Sequence, residues 1–390
     1  MIKPTFFLQK TVTYFFCTFS ILLLLSCNDA KTNTSENKTT QKEIVSKTTY
    51  AQGFSLKEHG TYQILEIKNP WPEAEQVFKY ALVKKGAKLP DTVAVDAVIT
   101  VPVERIIVTS TTHIPSLEML GVLDRLVAFP NTKFISSEKA AKRVKEGAVK
   151  EIGNNESINT ETVIELQPDL VVGFGVNGNN KTFESLQRAG INVVYNGDWM
   201  EQHPLGKAEW IKFFGALFDQ SAEADAIFAS IAKDYQQTKT IAQKAKSTPT
   251  VVSGALWNDV WYMPKGESWG ARFITDANGN YLWSDTTGTG SLALSVESVL
   301  EKAVHADYWI GPAQYTSLST MAESNVVYTQ FKAYKNGAVY SFSTKKGEGG
   351  GILYYELAPN RPDLVLKDIV KILHPDLLPD YELYFFEKLN

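Results

Sequence analysis

The sequence predicts an α/β protein made of two similar lobes, each with a parallel sheet, and three observations lead to this fold class. A helix-then-strand unit occurs twice, at residues 159–173 and 295–311. Strand-like and helix-like segments alternate on both sides of a long helical stretch, which is the pattern of helix-covered parallel sheets. Two such lobes leave a cleft between them, and clefts commonly bind ligands.

Each copy of the repeated unit has the same order of signals. The first copy starts at Asn159 with Glu161 two residues later, and the second starts at Ser295 with Glu297 two residues later. Asn and Ser are favoured N-cap residues, and apolar residues recur on one face of the helix that follows. Each helix leads through an Asp into a short apolar strand that ends in Gly. The unit therefore predicts one helix–strand pair in each lobe.

The first fifty residues predict an exported, lipid-anchored chain. Residues 1–26 combine a basic start with a nearly uncharged apolar stretch, which is typical of a signal peptide. The end of this stretch and Cys27 resemble the lipobox of bacterial lipoproteins, so Cys27 is the predicted lipidation site. Residues 27–50 are polar and predict a flexible tether. An uncleaved membrane anchor is the alternative, because the apolar stretch is only a little short of a spanning helix.

Composition and charge argue against several classes of protein. The two cysteines are Cys17 and Cys27, so the mature domain is predicted to have neither a disulfide nor thiolate chemistry. A formal net charge of −4 with interspersed signs argues against nucleic-acid binding. The five histidines are scattered without paired spacing and form no metal-binding motif. We therefore predict no bound metal or cofactor that belongs to the protein itself.

The rest of the chain is predicted to form two Rossmann-like lobes and a connecting helix. Residues 51–221 form the predicted N-terminal lobe, and residues 54–101 within it predict an added β-meander, because strand-like runs are separated by turns. Residues 222–247 lack proline and keep helical periodicity, so they predict one long, rigid inter-lobe helix that Pro249 ends. Residues 248–390 form the predicted C-terminal lobe.

Four segments carry motifs of a known family in the family's order. They begin at Asn159, Ser295, Phe331 and Arg361. Over residues 105–377 the chain resembles the periplasmic substrate-binding proteins of iron-complex and cobalamin ABC importers. The resemblance implies a binding protein rather than an enzyme, with a metal chelate in the cleft and an ABC permease dimer as partner. We expect a lipid-anchored monomer in the cell envelope, facing the periplasm. The predicted ligand is a ferric siderophore-type complex, with cobalamin and haem as alternatives.

The same resemblance assigns Glu161 and Glu297 to permease docking. In this family the equivalent glutamates lie on the two lobe tips and pair with arginines of the permease. A carboxylate opposite an arginine can form a bidentate, charge-assisted contact, which fixes the docking register. Without the resemblance, each glutamate is simply a first-turn acid that the helix dipole favours.

Candidate ligand-binding residues follow from the rule that α/β sheets bind ligands at the carboxyl ends of their strands. Large aromatic faces in polar loops suit an aromatic or corrin-like ligand, and cations suit an anionic chelate. The predicted ligand-binding residues are His113, Phe174, Trp199, Trp257, Trp261, Tyr315, Tyr354 and Arg361. A solvated loop position is the alternative for His113. Lys345 and Lys346 are further candidate cations, and Tyr262, Tyr355 and Glu356 adjoin the predicted aromatic residues.

One motif match leaves a secreted serine hydrolase open as an alternative. Residues 266–270 match the G-x-S-x-G nucleophile elbow around Ser268, and Asp285 and His305 follow in hydrolase order. The elbow requires a strand that runs directly into the turn. Pro264 and the next residue intervene here, so we expect the match to be a coincidence.

A second match leaves an NAD-linked oxidoreductase open. Residues 173–178 match G-x-G-x-x-G after a predicted strand, and Asp198 follows about twenty residues later. The fingerprint needs a helix that starts within the glycines, so that its N-terminus meets the pyrophosphate. Asparagines postpone the predicted helix to about Thr182. A glycine-rich loop in a ligand cleft is therefore the preferred interpretation.

Overall fold

The computed structural model of the protein describes residues 44–46, 48–155, 157–175, 177–178 and 180–390, with the backbone alone described at 44–46. Glu43–Asn390 form one compact unit. The predicted signal peptide and Cys27 lie outside the described residues. Within the described ranges, no helix combines the length and the hydrophobicity that crossing a membrane requires.

A five-stranded sheet precedes the first lobe. Its strands, in their order across the sheet, are β1 (Ile44–Ser46), β2 (Phe54–Glu58), β3 (Tyr62–Lys68), β4 (Val77–Lys84) and β5 (Ala97–Val101). Neighbours are antiparallel except β4 and β5, which are parallel. The chain between β4 and β5 crosses one face of the sheet, where Leu89 and Val93 pack with the buried Ile64. This crossover makes the last pairing depart from the predicted meander.

Part of the predicted tether belongs to the folded domain. Strand β1 lies within residues 27–50, the predicted tether. The backbone N–H groups of Thr49, Tyr50 and Ala51 then donate to the carboxylate of Glu209 at 2.7–3.0 Å. These bonds fix a polar segment that has little apolar surface of its own to bury, and composition alone does not reveal them.

The N-terminal lobe is built on a five-stranded parallel sheet. The strands of the lobe, including two outside this sheet, are β6 (Ile106–Val108), β7 (Leu126–Phe129), β8 (Lys150–Glu151), β9 (Gly153–Asn154), β10 (Ser157–Ile158), β11 (Leu170–Gly173) and β12 (Val193–Tyr195). Its helices are α1 (Ile114–Met119), α2 (Glu138–Lys145), α3 (Thr160–Leu166), α4 (Lys181–Arg188), α5 (Pro204–Glu209) and α6 (Ile211–Leu217). The parallel strands have the order β12-β11-β6-β7-β8, and β9 and β10 form a separate hairpin. Strands β6, β11 and β12 are apolar and buried throughout, as helix-covered strands should be.

The inter-lobe helix α7 spans Ser221–Ala242, which is 22 residues. The sequence predicts residues 222–247, so the observed helix ends earlier. Its buried face ends at Ala242, and the residues after it are mostly exposed. A further turn would have no packing partner, and most of a helix's stability in a protein comes from such packing.

The C-terminal lobe has two sheets. Its strands are β13 (Thr250–Ser253), β14 (Ala255–Trp257), β15 (Val260–Pro264), β16 (Asn280–Tyr281), β17 (Ser291–Leu294), β18 (Tyr308–Ile310), β19 (Val339–Ser341) and β20 (Glu387–Lys388). Its helices are α8 (Trp269–Asp276), α9 (Val296–Ala303), α10 (Leu318–Ser324), α11 (Lys332–Lys335), α12 (Leu353–Leu357) and α13 (Pro362–Leu373). The main sheet has the order β16-β13-β18-β19-β20 and is parallel except for β20. Strands β14, β15 and β17 form an antiparallel sheet beside it.

The repeated unit has the predicted local structure in both lobes. The Asn159 side chain accepts a hydrogen bond from the Thr162 N–H at 3.1 Å and caps α3. The Ser295 hydroxyl accepts one from the Ser298 N–H at 3.3 Å and caps α9. The strand that follows each helix pairs in parallel with the first parallel strand of its lobe, β11 with β6 and β18 with β13.

The aspartate of each repeat joins these paired strands at their starts. Asp169 Oδ2 accepts from the backbone N–H groups of Glu104 and Arg105, both at 2.9 Å, just before β6. Asp307 Oδ2 accepts from the Thr250 N–H at 2.9 Å, where β13 begins. The acid in the repeat therefore satisfies backbone donors that the sheet ladder leaves unpaired.

Candidate ligand site

A first cavity lies at the carboxyl ends of the N-terminal lobe's strands. This N-side cavity has a volume of about 300 Å³. The N-terminal lobe contributes Thr109–Thr111 after β6, Phe129–Asn131 at the end of β7 and Phe174 after β11, and the C-terminal lobe contributes Ile352 and Tyr355. The cavity is therefore lined by both lobes, at the edge of the sheet where α/β proteins bind ligands.

A second cavity lies at the carboxyl ends of the C-terminal lobe's strands. This C-side cavity has a volume of about 420 Å³. Its lining includes Ser253 at the end of β13, Ile310 at the end of β18 and Phe342 just after β19. Tyr262 of β15 and Trp269 of α8 also line it. Both cavities include Tyr355, so this half-exposed side chain belongs to both halves of the candidate site.

Stacked aromatic rings line the C-side cavity. The rings of Tyr354 and Phe342 are stacked, with centroids 4.3 Å apart and planes 15° apart. The ring of Trp269 also stacks on Tyr354, with centroids 6.0 Å apart and planes 18° apart. Flat apolar faces of this kind, together with hydroxyl groups such as those of Ser253 and Tyr262, suit a partly apolar ligand that also needs hydrogen bonds.

The segment that carries Tyr354 and Tyr355 also connects the two lobes. We call residues 345–361 the strap. The buried Glu356 carboxylate accepts from the backbone N–H groups of Ser136 and Ser137 in the N-terminal lobe, at 2.6 and 2.9 Å. The strap belongs to the C-terminal lobe, and these contacts fix it against the N-terminal lobe.

Two other parts of the strap also contact the N-terminal lobe. The Asn360 side chain accepts from the Ser116 hydroxyl at 2.8 Å and donates to the Thr112 carbonyl at 2.7 Å. The glycine-rich part of the strap lies directly on the N-terminal lobe, because a Cβ on Gly351 would come within 2.0 Å of the Phe134 carbonyl oxygen. The lobes are thus joined by the strap as well as by α7.

Because Glu356 is buried, we expect the free energy of unfolding of the protein to depend on pH. Burial raises the pKa of Glu356 to about 7 from 4.5, although its two backbone hydrogen bonds act in the opposite direction. The folded state then binds the Glu356 proton more tightly than the unfolded state does. Its stabilising contribution is therefore complete below about pH 4.5 and is lost as the pH rises through about 7.

Between pH 4.5 and pH 8, we expect the free energy of unfolding of the wild type to fall by about 2–3 kcal/mol more than that of the Glu356→Gln variant. Glutamine does not titrate, so other ionisable groups cancel in this comparison. Urea unfolding of both proteins at several pH values measures the difference. Parallel pH profiles of the two proteins would show that Glu356 keeps an ordinary pKa.

Two predicted ligand-binding residues line the cavities. Phe174 lies in the N-side cavity, and its backbone N–H donates to the Thr109 hydroxyl at 3.3 Å. Tyr354 lies in the C-side cavity, mostly buried within the aromatic stack. Phe174 directly follows strand β11, as the strand-end rule requires, and Tyr354 follows the glycine-rich part of the strap.

Trp261 is a core residue, so the prediction that it lines the cleft is wrong. Its indole is fully buried, stacks on Trp309 at 5.2 Å and donates to the Ser253 carbonyl at 3.0 Å. Side chains alternate across a strand, so the neighbouring Tyr262 points the other way and lines the C-side cavity. Three other tryptophans, Trp210, Trp283 and Trp309, are also buried.

His113 is also buried, and the prediction that it lines the cleft is wrong. Its ring is fully enclosed, 5.6 Å from the ring of Phe214. Burial lowers the pKa of His113, and the nearby Asp198 charge only partly opposes this. In the loop after β6, Thr109 and Ser110 line the cavity instead.

The other four predicted ligand-binding residues lie outside the linings of the two cavities. Trp257 is 73% exposed at the end of β14, and Trp199 is exposed after β12. Tyr315 packs against Tyr328, with ring centroids 5.6 Å apart. Arg361 forms a bidentate ion pair with Asp363 at 2.8–2.9 Å.

The candidate cations Arg361, Lys345 and Lys346 line a different cavity, of about 680 Å³. The Lys345 ammonium donates to the backbone carbonyls of Leu383 and Tyr384 at 2.9 and 2.6 Å. Sequence reasoning missed Trp269 and Phe342 in the C-side cavity. A strand-end signal exists for Phe342, whereas Trp269 follows a helix cap and gives no such signal.

The local structure around Ser268 differs from a nucleophile elbow. Strand β15 ends at Pro264, and the buried Ser268 hydroxyl accepts from the Ala271 N–H at 3.2 Å as the N-cap of α8. His305 is exposed, and Asp285 pairs with Lys302 at 3.7 Å. The residue pattern is thus explained by helix capping.

The glycine-rich loop also departs from a dinucleotide fingerprint. Strand β11 ends at Gly173, and α4 begins only at Lys181. The Asn180 side chain caps that helix by accepting from the Phe183 N–H at 3.0 Å. Pyrophosphate binding by this motif requires a helix that begins within the glycines. Here the helix begins after them, so the loop does not fit the motif.

The two predicted docking glutamates have matching positions. Glu161 and Glu297 are exposed in the first turns of α3 and α9. Each helix directly precedes a parallel strand, β11 or β18, and a helix that connects parallel strands runs antiparallel to them. The first turn of each helix is therefore expected near the carboxyl ends of the strands, where the cavities are. Both carboxylates are accessible to a partner.

Comparisons with known proteins cover most of the described chain. A family model described as "Periplasmic binding protein" matches residues 106–344, beginning at the first residue of β6. An uncharacterized lipoprotein of Methanocaldococcus jannaschii is 30% identical over 303 residues, which are 75% of this chain and 70% of that protein. A second uncharacterized lipoprotein of this organism is 26% identical over 392 residues, covering 93% and 94% of the two chains.

Solved structures confirm the predicted α/β fold. A possible iron-binding (periplasmic solute-binding) protein of Staphylococcus epidermidis has a TM-score of 0.56 at 18% identity, covering 70% of this chain and 99% of its own. A periplasmic heme binding protein of Pseudomonas aeruginosa has a TM-score of 0.55 at 16% identity, covering 74% of this chain and 98% of its own. At these identities the likeness is one of fold.

Proposed function

Because the chain belongs to the periplasmic binding protein family, we propose that it captures an iron chelate in its cleft and delivers it to an ABC importer. The observation that carries this proposal is the pair of cavities at the strand ends of both lobes, with Tyr355 common to both. A ligand held there contacts the two lobes at once. Solved structures of similar fold are named as heme-binding and possibly iron-binding proteins, which supports a chelate of this class.

A ferric siderophore-type complex is the proposed ligand, with haem and cobalamin as the alternatives to test. The cavities offer aromatic faces and neutral hydroxyl groups, such as those of Tyr262 and Ser253. Such groups suit a metal already ligated by its chelator, because the protein then needs only to pack against the chelate and hydrogen-bond to it. The proposed role involves no catalytic step.

Replacing Tyr355 with alanine is expected to weaken chelate binding about 10- to 100-fold. The substitution removes an aromatic face shared by both cavities, and such a loss corresponds to about 1.5–3 kcal/mol. Calorimetric titration of the wild type and Tyr355→Ala with a ferric trihydroxamate, haemin and cobalamin measures the effect. Trp257→Ala is the matched control, since that exposed ring lies outside both cavity linings.

The results of this titration separate two failures. If the wild type binds none of the three chelates, the proposed function is wrong. If a chelate binds but Trp257→Ala weakens it more than Tyr355→Ala does, the ligand lies elsewhere on the protein.

We also propose that Cys27 carries the lipid that holds the protein in the cell envelope, facing the periplasm. The name "lipoprotein" of two relatives supports this proposal. We expect Cys27→Ser to move the protein from the membrane fraction to the soluble fraction of cells, because it removes the acylated thiol. Retention of the variant in the membrane would contradict a lipid anchor at this cysteine.

A further inference from the structure

The added N-terminal sheet contacts the loops that surround the N-side cavity. The loop between β3 and β4 carries Trp71, whose ring lies against the glycine-rich loop after β11. The preceding Pro70 lies against Gly197, in the loop after β12. Both contacts are made at the carboxyl ends of strands, and the added sheet precedes the part of the chain that the family model matches.

The glycines make this close approach possible. A Cβ on Gly175 would lie 2.9 Å from an atom of the Trp71 ring, closer than real Cβ atoms come. Gly178 lies on the same ring, where a Cβ would be at 3.6 Å from it. Gly173 has a different neighbour, because a Cβ there would be 2.4 Å from the Phe183 ring. Aromatic packing thus accounts for Gly173 and Gly175, two of the three glycines that match a dinucleotide fingerprint.

Two further rings hold Trp71 in place. Its ring meets the ring of Tyr195, at the end of β12, with a centroid distance of 5.1 Å and an interplanar angle of 81°. It meets Phe78 of β4 at 5.6 Å and 64°. Edge-to-face contacts of this kind have a preferred geometry, so they restrict the orientation of the indole. The ring is fixed from both the added sheet and the lobe.

We propose that Trp71 is a positioning residue for the ligand site, acting through the loop that carries Phe174. Phe174 lines the N-side cavity and directly precedes Gly175, which lies on the Trp71 ring. The Phe174 N–H donates to Thr109, a second lining residue, so displacement of the loop would disturb both. This inference rests on the proposed function for its consequence in ligand binding, and it makes the added sheet a part of the site.

The first test needs no ligand. Hydrogen exchange is compared in the full-length protein for the wild type, Trp71→Ala and Ile64→Ala. Ile64 is buried on the opposite face of the same sheet, so Ile64→Ala weakens the sheet without touching the loop. We expect exchange at the Phe174 amide to be at least tenfold faster in Trp71→Ala than in Ile64→Ala. Equal exchange in these two variants would overturn the inference.

The second test uses a ferric trihydroxamate, haemin and cobalamin as probes. For a chelate that binds the wild type, we expect Trp71→Ala to weaken affinity about 5- to 10-fold and Trp71→Phe to restore most of it. In a Phe174→Ala background, Trp71→Ala should have no additional effect, because its influence passes through Phe174. Additive losses would overturn the inference. If the wild type binds no probe, the proposed function fails, and the hydrogen-exchange result alone decides the role of Trp71.

Discussion

Glu209→Ala is expected to lower the free energy of unfolding by about 3–5 kcal/mol, the largest stability effect that we predict. The Glu209 carboxylate is fully buried, and it accepts from three consecutive backbone N–H groups, at Thr49, Tyr50 and Ala51. It also pairs with Lys212 at 3.0 Å. Alanine leaves these donors without their acceptor, and buried donors without a partner are costly.

Urea unfolding, combined with hydrogen exchange at residues 48–51, measures this effect. We expect these amides, which lie between β1 and β2, to exchange faster in the variant than in the wild type. Glu301→Ala is the control, because that glutamate is exposed on α9. A loss below about 1 kcal/mol in Glu209→Ala would show that water replaces the carboxylate at little cost.

The double variant Glu161→Ala/Glu297→Ala is expected to reduce chelate uptake to the level of cells without the protein. We propose that each carboxylate binds a basic side chain of the permease, one from each lobe. Losing both removes the contacts that fix the docking register. Ligand affinity should stay within twofold of the wild type, because neither residue lines the N-side or the C-side cavity.

The chain offers a closely matched control for this experiment. Glu165 and Glu301 are exposed four residues further along the same two helices. Glu165→Ala/Glu301→Ala removes the same total charge from the same helices, so a nonspecific charge effect would reduce uptake equally in both double variants. Equal uptake in the two double variants would refute the docking role, and a collapse of ligand affinity would place the glutamates in the ligand site.

Local signals were sufficient for much of the fold. The caps at Asn159 and Ser295, the parallel strands that follow them and the long helix near 222–247 can all be predicted from the sequence. Each of these signals depends on residues a few positions apart, such as a cap and the N–H three residues later. The end of α7 differs from its prediction because packing, rather than periodicity, determines where that helix stops.

The candidate site could be predicted only in part. The strand-end rule led to Phe174, whereas it wrongly assigned Trp261 and His113 to the cleft. The alternation of Trp261 and Tyr262 can be predicted from strand periodicity, but the sequence does not say which face of β15 is covered. Trp309 and Ser253 cover the Trp261 side, and this contact exists only after the two sheets of the lobe have packed.

The sequence alone therefore determined the fold class, the repeated unit and the order of the elements, since these depend on interactions between near neighbours in the chain. Only the tertiary structure decided which aromatic faces reach the cleft and which carboxylates are buried. The bond between Thr49 and Glu209 joins residues 160 positions apart, and Trp71 meets Gly175 only where the added sheet packs on the lobe. Contacts of this kind depend on how distant segments pack, and no local pattern encodes them.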